Sequence, residues 1–356
     1  MTTLAPGATI GILGGGQLGR MLALAAAQLG YRCHIYAPEA LSVAAEVAAE
    51  FTCAEYDDIA ALTKFAKSCD VVTYEFENVP VAPLKKIDGL AALRPGTAAL
   101  EIAQDRAREK QFAIDLGGRP ATYVLANDPL SLQNAAEHVG IPAVVKTVTM
   151  GYDGKGQIIV RKGANYTHIY HDLGRRPLIA EQFVSFDAEF SVILVRGQDG
   201  ETRFYDCPRN THDHGILALS TVPAGPLVES QVAKARLLTS AIADALEYVG
   251  VLTCEFFATK SGPIFNEMAP RVHNSGHWTI EGAVTSQFEN HIRAVCGLPL
   301  GDTTTTVERV EMQNLIGNDV LRWKKLLADP AAHVHFYGKG VPVPGRKMGH
   351  VTRLYP

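Results

Sequence analysis

The stretch Val251-Leu252-Thr253-Cys254-Glu255-Phe256-Phe257-Ala258-Thr259-Lys260-Ser261-Gly262-Pro263-Ile264-Phe265-Asn266-Glu267-Met268 decides how this chain is read. Two apolar, aromatic-rich runs flank a short polar turn with a glycine, the pattern of a β-hairpin. A turn centred on Ser261 sets Glu255 opposite Glu267, and residues paired directly across two strands share one face of the sheet. Two carboxylates side by side repel unless a cation lies between them. A hard divalent cation suits such oxygens: Mg²⁺ takes one or two carboxylates and fills its remaining positions with substrate phosphates and water. Asn266 adds a neutral oxygen beside Glu267. An acidic pair exposed on an isolated hairpin needs no ligand, so the rest of the chain has to decide.

At 356 residues, with 47% hydrophobic and 20% charged side chains, the chain has the composition of an ordinary globular protein of two or three domains. A net charge of −4 gives no reason to expect nucleic acid or an anionic membrane as partner. Six cysteines lie scattered without a CxxC pair, which fits reduced thiols better than disulfides or a zinc site. The first apolar run, Ile10 to Leu13, ends at once in glycines, unlike a secretory signal, and no stretch approaches the ~20 apolar residues of a membrane span. A soluble cytoplasmic enzyme is the expectation.

Residues 8–74 alternate strand-like and helix-like segments. Ala8–Leu13, Arg32–Tyr36 and Val71–Tyr74 read as strands; Gln17–Leu29, Ala40–Ala49 and Asp57–Ser68 read as helices. That order predicts a parallel sheet with helices on its faces. A charged helix is expected over Gln104–Leu116, closed by Gly117-Gly118 and Pro120. A smaller unit follows to about Phe186. Beyond it come a strand-rich region, a long helix at Ser230–Val249, a helix near Ser286–Cys296 and a basic tail.

Gly14-Gly15-Gly16-Gln17-Leu18-Gly19 matches GxGxxG between a strand and a helix, with Glu39 some twenty residues on. Such a loop brings backbone N–H groups close to a phosphate, so a dinucleotide, another phosphorylated metabolite or a purely structural turn all fit it. Met150–Gln157 carries three glycines among Tyr152, Asp153, Lys155 and Gln157, just past Lys146 on an apolar strand. It lacks the GKS or GKT ending of a P-loop, and suits either a mobile flap over phosphates or a hairpin loop. Tyr74-Glu75-Phe76-Glu77-Asn78 sits at the C-terminal end of a strand, where open α/β sheets place ligands. Lys339, Arg346 and Lys347 gather with His350 around glycines, as a solvated tail or as partners for a phosphate monoester.

Together these segments resemble the ATP-grasp superfamily and, within it, the N5-carboxyaminoimidazole ribonucleotide synthetases of purine biosynthesis. The matching pieces are GGGQLGR (14–20), TYEFENV (73–79), Lys146, GYDGKGQ (151–157), EQFV (181–184), Glu189, Asn210-x-His212, the Glu255/Asn266-Glu267 hairpin, APRVHNSGHWT (269–279) and RKMGH (346–350). They run in order over nearly the whole chain, and TYEFENV and RVHNSGHWT are the most specific. Val272 departs from the pattern, which has proline before His-Asn-Ser.

The resemblance implies an ATP-grasp fold of mixed α/β and α+β class in three domains. These are an N-terminal Rossmann-like domain (1–118) for the ribonucleotide, a lid (119–186) and a β-rich C-terminal domain (187–356). It implies a homodimer, and ATP, bicarbonate and 5-aminoimidazole ribonucleotide as substrates with Mg²⁺. Arg106 and Lys146 would meet the ATP phosphates, and Gly151, Tyr152, Asp153, Gly154, Lys155, Gly156 and Gln157 would fold over them. Glu181, Gln182, Phe183 and Val184 would line the adenine pocket, and Glu189 would hold the ribose hydroxyls. His212 and Asn266 would stand in the nucleotide site, with Glu255 and Glu267 on Mg²⁺. Gln17, Glu75, Tyr152, Asn274, Ser275, Lys339, Arg346 and Lys347 would take the ribonucleotide. Asp153 would serve as general base, and Arg271 and His273 would orient carboxyphosphate. The competing readings are another ATP-grasp carboxylase or ligase, an NAD-dependent oxidoreductase and a nucleotide sensor without catalysis.

Overall fold

Thr9–Leu13 forms the middle of a five-stranded parallel sheet because its apolar run is buried on both faces. The strand order is Glu50–Cys53, Arg32–Ala37, Thr9–Leu13, Val71–Tyr74, Ala92–Leu93. The computed structural model describes residues 2–151 and 156–356. Helix Gln17–Gln28 packs Leu18, Met21, Leu22 and Ala26 onto the sheet. Helix Ile59–Lys67 starts at Asp58, whose carboxylate accepts the Ala61 N–H at 2.9 Å.

The helix expected over Ala40–Ala49 is absent. Only Ala45–Val47 makes a 3₁₀ turn, and Glu50–Cys53 continues as the edge strand. Alanine propensity loses here to Ser42, whose hydroxyl donates to Gly15 O at 3.0 Å and accepts from Ala45 N at 3.1 Å. The segment is thereby hooked onto the glycine loop. The charged helix of the sequence reading is Arg106–Asp115, and a further helix, Thr97–Ala103, precedes it. Asp105 separates the two and caps the second through the Ala107 and Arg108 N–H groups, both at 3.0 Å.

A second sheet of four antiparallel strands runs in the order Tyr123–Ala126, Leu178–Gln182, Ala143–Thr147, Gln157–Val160. It closes its own apolar core with helix Pro129–Val139, around Leu132, Ala136, Val145 and Leu178.

The third sheet is the largest, with nine strands. The hairpin strand Gly262–Ala269 forms one edge, Gly250–Thr259 lies next to it, and Ala188–Arg196 pairs with the latter along its whole length. The long helix expected at Ser230–Val249 lies at Pro226–Ala245, with its proline in the first turn. The expected basic tail is instead a strand. Lys347–Tyr355 pairs with both Arg309–Ile316 and Ala332–Phe336. His350 on it is fully buried and bonded to the Tyr337 hydroxyl at 2.8 Å, so it offers nothing to a phosphate.

One apolar cluster joins the first and third sheets. Ile10, Leu22 and Ala26 share it with Ile193, Val251, Phe288 and Ile292. The C-terminal ends of the parallel strands thus face the hairpin across a cavity of about 810 Å³.

Candidate active site

The hairpin turns over two residues, Lys260 and Ser261, with Thr259 paired to Gly262 and Phe256 to Phe265. That register alone would carry Asn266 opposite Glu255. A β-bulge takes up Asn266 as an extra residue, and Glu255 then pairs with Glu267. The carboxylate pair read from the sequence is present, although the turn is not centred on Ser261. Glu255 and Glu267 both line the cavity.

Their protonation differs because their neighbours differ. Burial and the Glu267 charge lift Glu255 to about 7, against the pull of His212 and Lys347. Desolvation would raise Glu267 too, yet Arg106 at 2.9 Å, with Lys146 and Lys110, holds it at about 2. A dication between the two carboxylates would relieve the pressure on Glu255. Among the described residues no group of three or more His, Cys, Asp or Glu could hold a metal. Two carboxylates are the number that Mg²⁺ takes when phosphates supply the rest of its shell.

Beside the hairpin lies a chain of buried charges. Lys146 Nζ donates to Glu181 Oε2 at 2.9 Å, and Lys110 Nζ lies 3.2 Å from Glu181 Oε1. Burial opposes ionisation of Glu181, but these two lysines hold it at about 2. Burial also lowers Lys146, partly offset by Glu181. The Glu181 side chain is therefore spent on lysines and does not line the cavity, and Gln182, Phe183 and Val184 lie outside it as well. Arg106 donates a second bond, to Gly151 O at 3.1 Å. Gly156 O accepts the Thr147 N–H at 2.9 Å, and Gln157 pairs with Lys146 across adjacent strands. Tyr152, Asp153, Gly154 and Lys155 lie outside the described residues.

Glu189 is ion-paired with His212 on a neighbouring strand. Burial works against a charge on His212, but the Glu189 bond and the nearby Glu255 raise its pKa overall. His273 Nε2 lies 3.6 Å from Glu255 Oε1, while its Nδ1 meets Ser275 Oγ at 2.8 Å. Ser275 is fully buried, bonded onward to Ser191 Oγ at 2.9 Å. It fixes the His273 ring and is not at the cavity wall. Asn274 reaches the wall, with its amide doubly bonded to Asn314 at 3.0 and 2.7 Å.

At the opposite end of the cavity the glycine loop is already engaged. Gly16 N–H donates to Glu75 Oε1 at 2.8 Å, and a Cβ on Gly14 would sit 2.5 Å from the same oxygen. Burial raises the Glu75 pKa, with Gly16, Arg271, Gly19 and Lys339 opposing. A pyrophosphate at these N–H groups would meet a carboxylate, which counts against the dinucleotide reading of GxGxxG. Glu77, two residues on, pairs with Arg271 at 2.7 Å. Gln17, Lys339, Arg346 and Lys347 line the same cavity, Lys339 near enough to act on Glu75 and Lys347 near enough to act on Glu255.

Glu109, Lys110 and Asn314 escaped the sequence reading, and Glu77, read there as a ligand contact, is paired with Arg271. The spacing of Glu109 and Lys110 from Arg106, on one helical face, was the available signal.

One cavity thus joins a carboxylate pair with its arginine to a basic cluster around a glycine loop. Comparison with known proteins gives the same arrangement a family. A model of the ribonucleotide synthetase preATP-grasp domain matches residues 7–104, one of the ATP-grasp domain matches 111–288, and one of the phosphoribosylaminoimidazole carboxylase C-terminal domain matches 311–355. The N5-carboxyaminoimidazole ribonucleotide synthase of Brucella melitensis is 47% identical over the full chain and 98% of its own length. The chain belongs to the N5-carboxyaminoimidazole ribonucleotide synthase family of ATP-grasp enzymes. The crystal structure of the Thermus thermophilus synthetase superposes with TM-score 0.89 at 46% identity, over 97% of this chain and 93% of that one. The Aspergillus clavatus synthase in complex with ADP and 5-aminoimidazole ribonucleotide gives 0.90 at 30% identity, over 99% and 94%. The first matched segment holds the five-stranded sheet, the second holds the four-stranded sheet and the nine-stranded one as far as Gly262–Ala269, and the third holds the last strands of the nine-stranded sheet. No helix among the described residues is long and apolar enough to cross a membrane.

Proposed function

We infer that this chain carboxylates 5-aminoimidazole ribonucleotide with ATP and bicarbonate. The products are N5-carboxyaminoimidazole ribonucleotide, ADP and phosphate. The observation that carries the reading is one cavity lined by the Glu255–Glu267 pair, by Arg271 and Lys339, which act on the Glu75 of the glycine loop, and by Arg346 and Lys347. A nucleotide's phosphates and a phosphorylated acceptor would then face each other across it. By this reading residues 1–118 serve the ribonucleotide, 119–186 form the lid, and 187–356 carry the metal and nucleotide groups.

Mg²⁺ bound by Glu255 and Glu267 would supply charge neutralisation at the transferred phosphoryl group. Lys146 and Arg106 bring cations to the same place and position the phosphates. Bicarbonate attacks the terminal phosphorus, the bond to ADP breaks, and carboxyphosphate results. Arg271, held by Glu77, and His273, held by Ser275, orient it. Loss of phosphate delivers CO₂ beside the exocyclic amine, which attacks it, and Asp153 takes the proton. Water must be kept out while carboxyphosphate survives, the task assigned to segment 151–157. The family reading also brings a homodimer and a cytoplasmic location, and six free cysteines agree with the latter.

The test is phosphate release from ATP with bicarbonate, with and without 5-aminoimidazole ribonucleotide. Stimulation by that compound, with glycinamide ribonucleotide inert, is the expected result. Protein that binds Mg-ATP but shows no stimulation would remove this acceptor.

A further inference from the structure

Helix Arg106–Asp115 turns three charged side chains toward three consecutive residues of the hairpin. Arg106 Nη1 donates to Glu267 Oε2 at 2.9 Å. Lys110 Nζ donates to the carbonyl of Asn266 at 3.0 Å, and Glu109 Oε1 accepts the N–H of Met268 at 2.6 Å. Residues 106, 109 and 110 stand at the i, i+3, i+4 spacing of one helix face. Lys110 and Glu109 are 1% and 2% exposed, so both charges were withdrawn from water at substantial cost.

The target of this grip is the β-bulge. Gly262–Ala269 is an edge strand as well as a bulged one, so some of its backbone groups have no strand partner, and buried backbone groups need one. Asn266 O and Met268 N–H, one on each side of Glu267, find theirs on Lys110 and Glu109. Were the bulge to slip by one residue, Glu267 would change faces and leave Glu255. Lys110 also reaches Glu181 on the second sheet, 3.2 Å away. It therefore holds the extra residue of the hairpin and the lid strand Leu178–Gln182 in one contact.

We propose that Lys110, seconded by Glu109, is a positioning residue that locks the Asn266 bulge and so keeps the Glu255–Glu267 carboxylate pair set for a divalent cation. Lys110 does not line the cavity and is not assigned to ATP. This deepens the reading of Glu255 and Glu267 as the metal-holding pair and rests on it.

The experiment is a Mn²⁺ titration followed by electron paramagnetic resonance in the presence of ADP, on wild-type protein, Lys110→Met and Glu109→Gln. Lys110→Met keeps most of the side chain's length and removes its donors. The dissociation constant for Mn²⁺ is expected to rise about tenfold or more, the scale seen when groups supporting metal ligands are lost. The Mg²⁺ concentration needed for half-maximal phosphate release should rise with it, while the KM for 5-aminoimidazole ribonucleotide stays within about twofold. Should Lys110→Met fail to fold, Glu109→Gln decides: it keeps an acceptor for Met268 and should move Mn²⁺ affinity the same way, by less. Wild-type Mn²⁺ affinity in either folded variant overturns the proposal. So does an equal loss at both substrates, the mark of general destabilisation. Wild-type protein that ignores 5-aminoimidazole ribonucleotide would remove the acceptor assignment alone, because the Mn²⁺ titration still judges Lys110.

Discussion

Gly14→Ala tests whether the glycine loop is built around Glu75. Gly14 has φ +118°, where an L side chain is strained, at a cost of about 1–3 kcal/mol. Its new Cβ would lie 2.5 Å from Glu75 Oε1 and 2.6 Å from Glu75 Cγ, well inside contact distance. Glu75 has to move away from the loop to make room, and so gives up the 2.8 Å bond from Gly16 N–H. A buried donor left without its partner adds about 1–3 kcal/mol. The sum is about 2–6 kcal/mol, of which only the backbone share is independent of Glu75. In a Glu75→Ala background the cost of Gly14→Ala should therefore shrink by about 1–3 kcal/mol, within the usual range of coupling between touching residues. Urea unfolding of the four proteins of this cycle supplies the numbers. Strictly additive effects would refute the reasoning, since they would mean that the loop does not depend on the carboxylate seated in it.

Glu255→Gln and Glu267→Gln should each lower phosphate release from Mg-ATP by about 10²-fold or more. Glu267→Gln should also lower the melting temperature, because Arg106 loses its charged partner. Stopped-time phosphate assays at saturating Mg²⁺ and thermal melts check this. Asp153→Asn should retain ATP binding by calorimetry and lose product formation by ~10²-fold or more. Near-wild-type turnover would strike Asp153 from the mechanism. His291 gives a pH prediction. Its Nδ1 accepts the Val251 N–H at 3.1 Å and its Nε2 meets Thr73 Oγ1 at 2.8 Å, which requires a neutral ring, and burial lowers its pKa to about 3. At neutral pH the ring is uncharged in either state. As pH falls from 6.5 toward 3 the unfolded chain binds a proton that the folded one refuses, so stability drops by up to about 1.4 kcal/mol per pH unit from this group. Unfolding midpoints at pH 7 and pH 5 should show a shallower pH slope in His291→Gln than in wild type, and an equal slope would count against the assignment.

The parallel sheet was legible because apolar runs alternate with helical stripes, and the hairpin because two aromatic-rich strands flank one turn. What the sequence could not show was whatever depends on distant partners. Glu75 and Glu77 stand two apart in one acidic segment and looked alike, yet one sits in the glycine loop and the other holds Arg271, nearly two hundred residues along the chain. Glu181 lies within a segment matched to adenine binding, but its side chain answers to Lys110 and Lys146. Lys110 itself reads as an ordinary surface charge on a polar helix, and only the packing of that helix on the hairpin buries it. Ala40–Ala49 failed for the opposite reason, since a local preference for helix was overruled by one serine reaching the glycine loop. Lys347–Tyr355 looked like a tail because its neighbours Arg309–Ile316 and Ala332–Phe336 are invisible in its own composition.

The apolar cluster shared by the first and third sheets has a consequence for substrate choice. It welds the glycine-loop wall and the hairpin wall into one frame, so the gap between them acts as a fixed caliper. The second sheet closes around a separate cluster and meets the frame partly through charges such as Lys110 with Glu181. The distance a bound molecule has to span is thus set by the shared cluster and not by the second sheet.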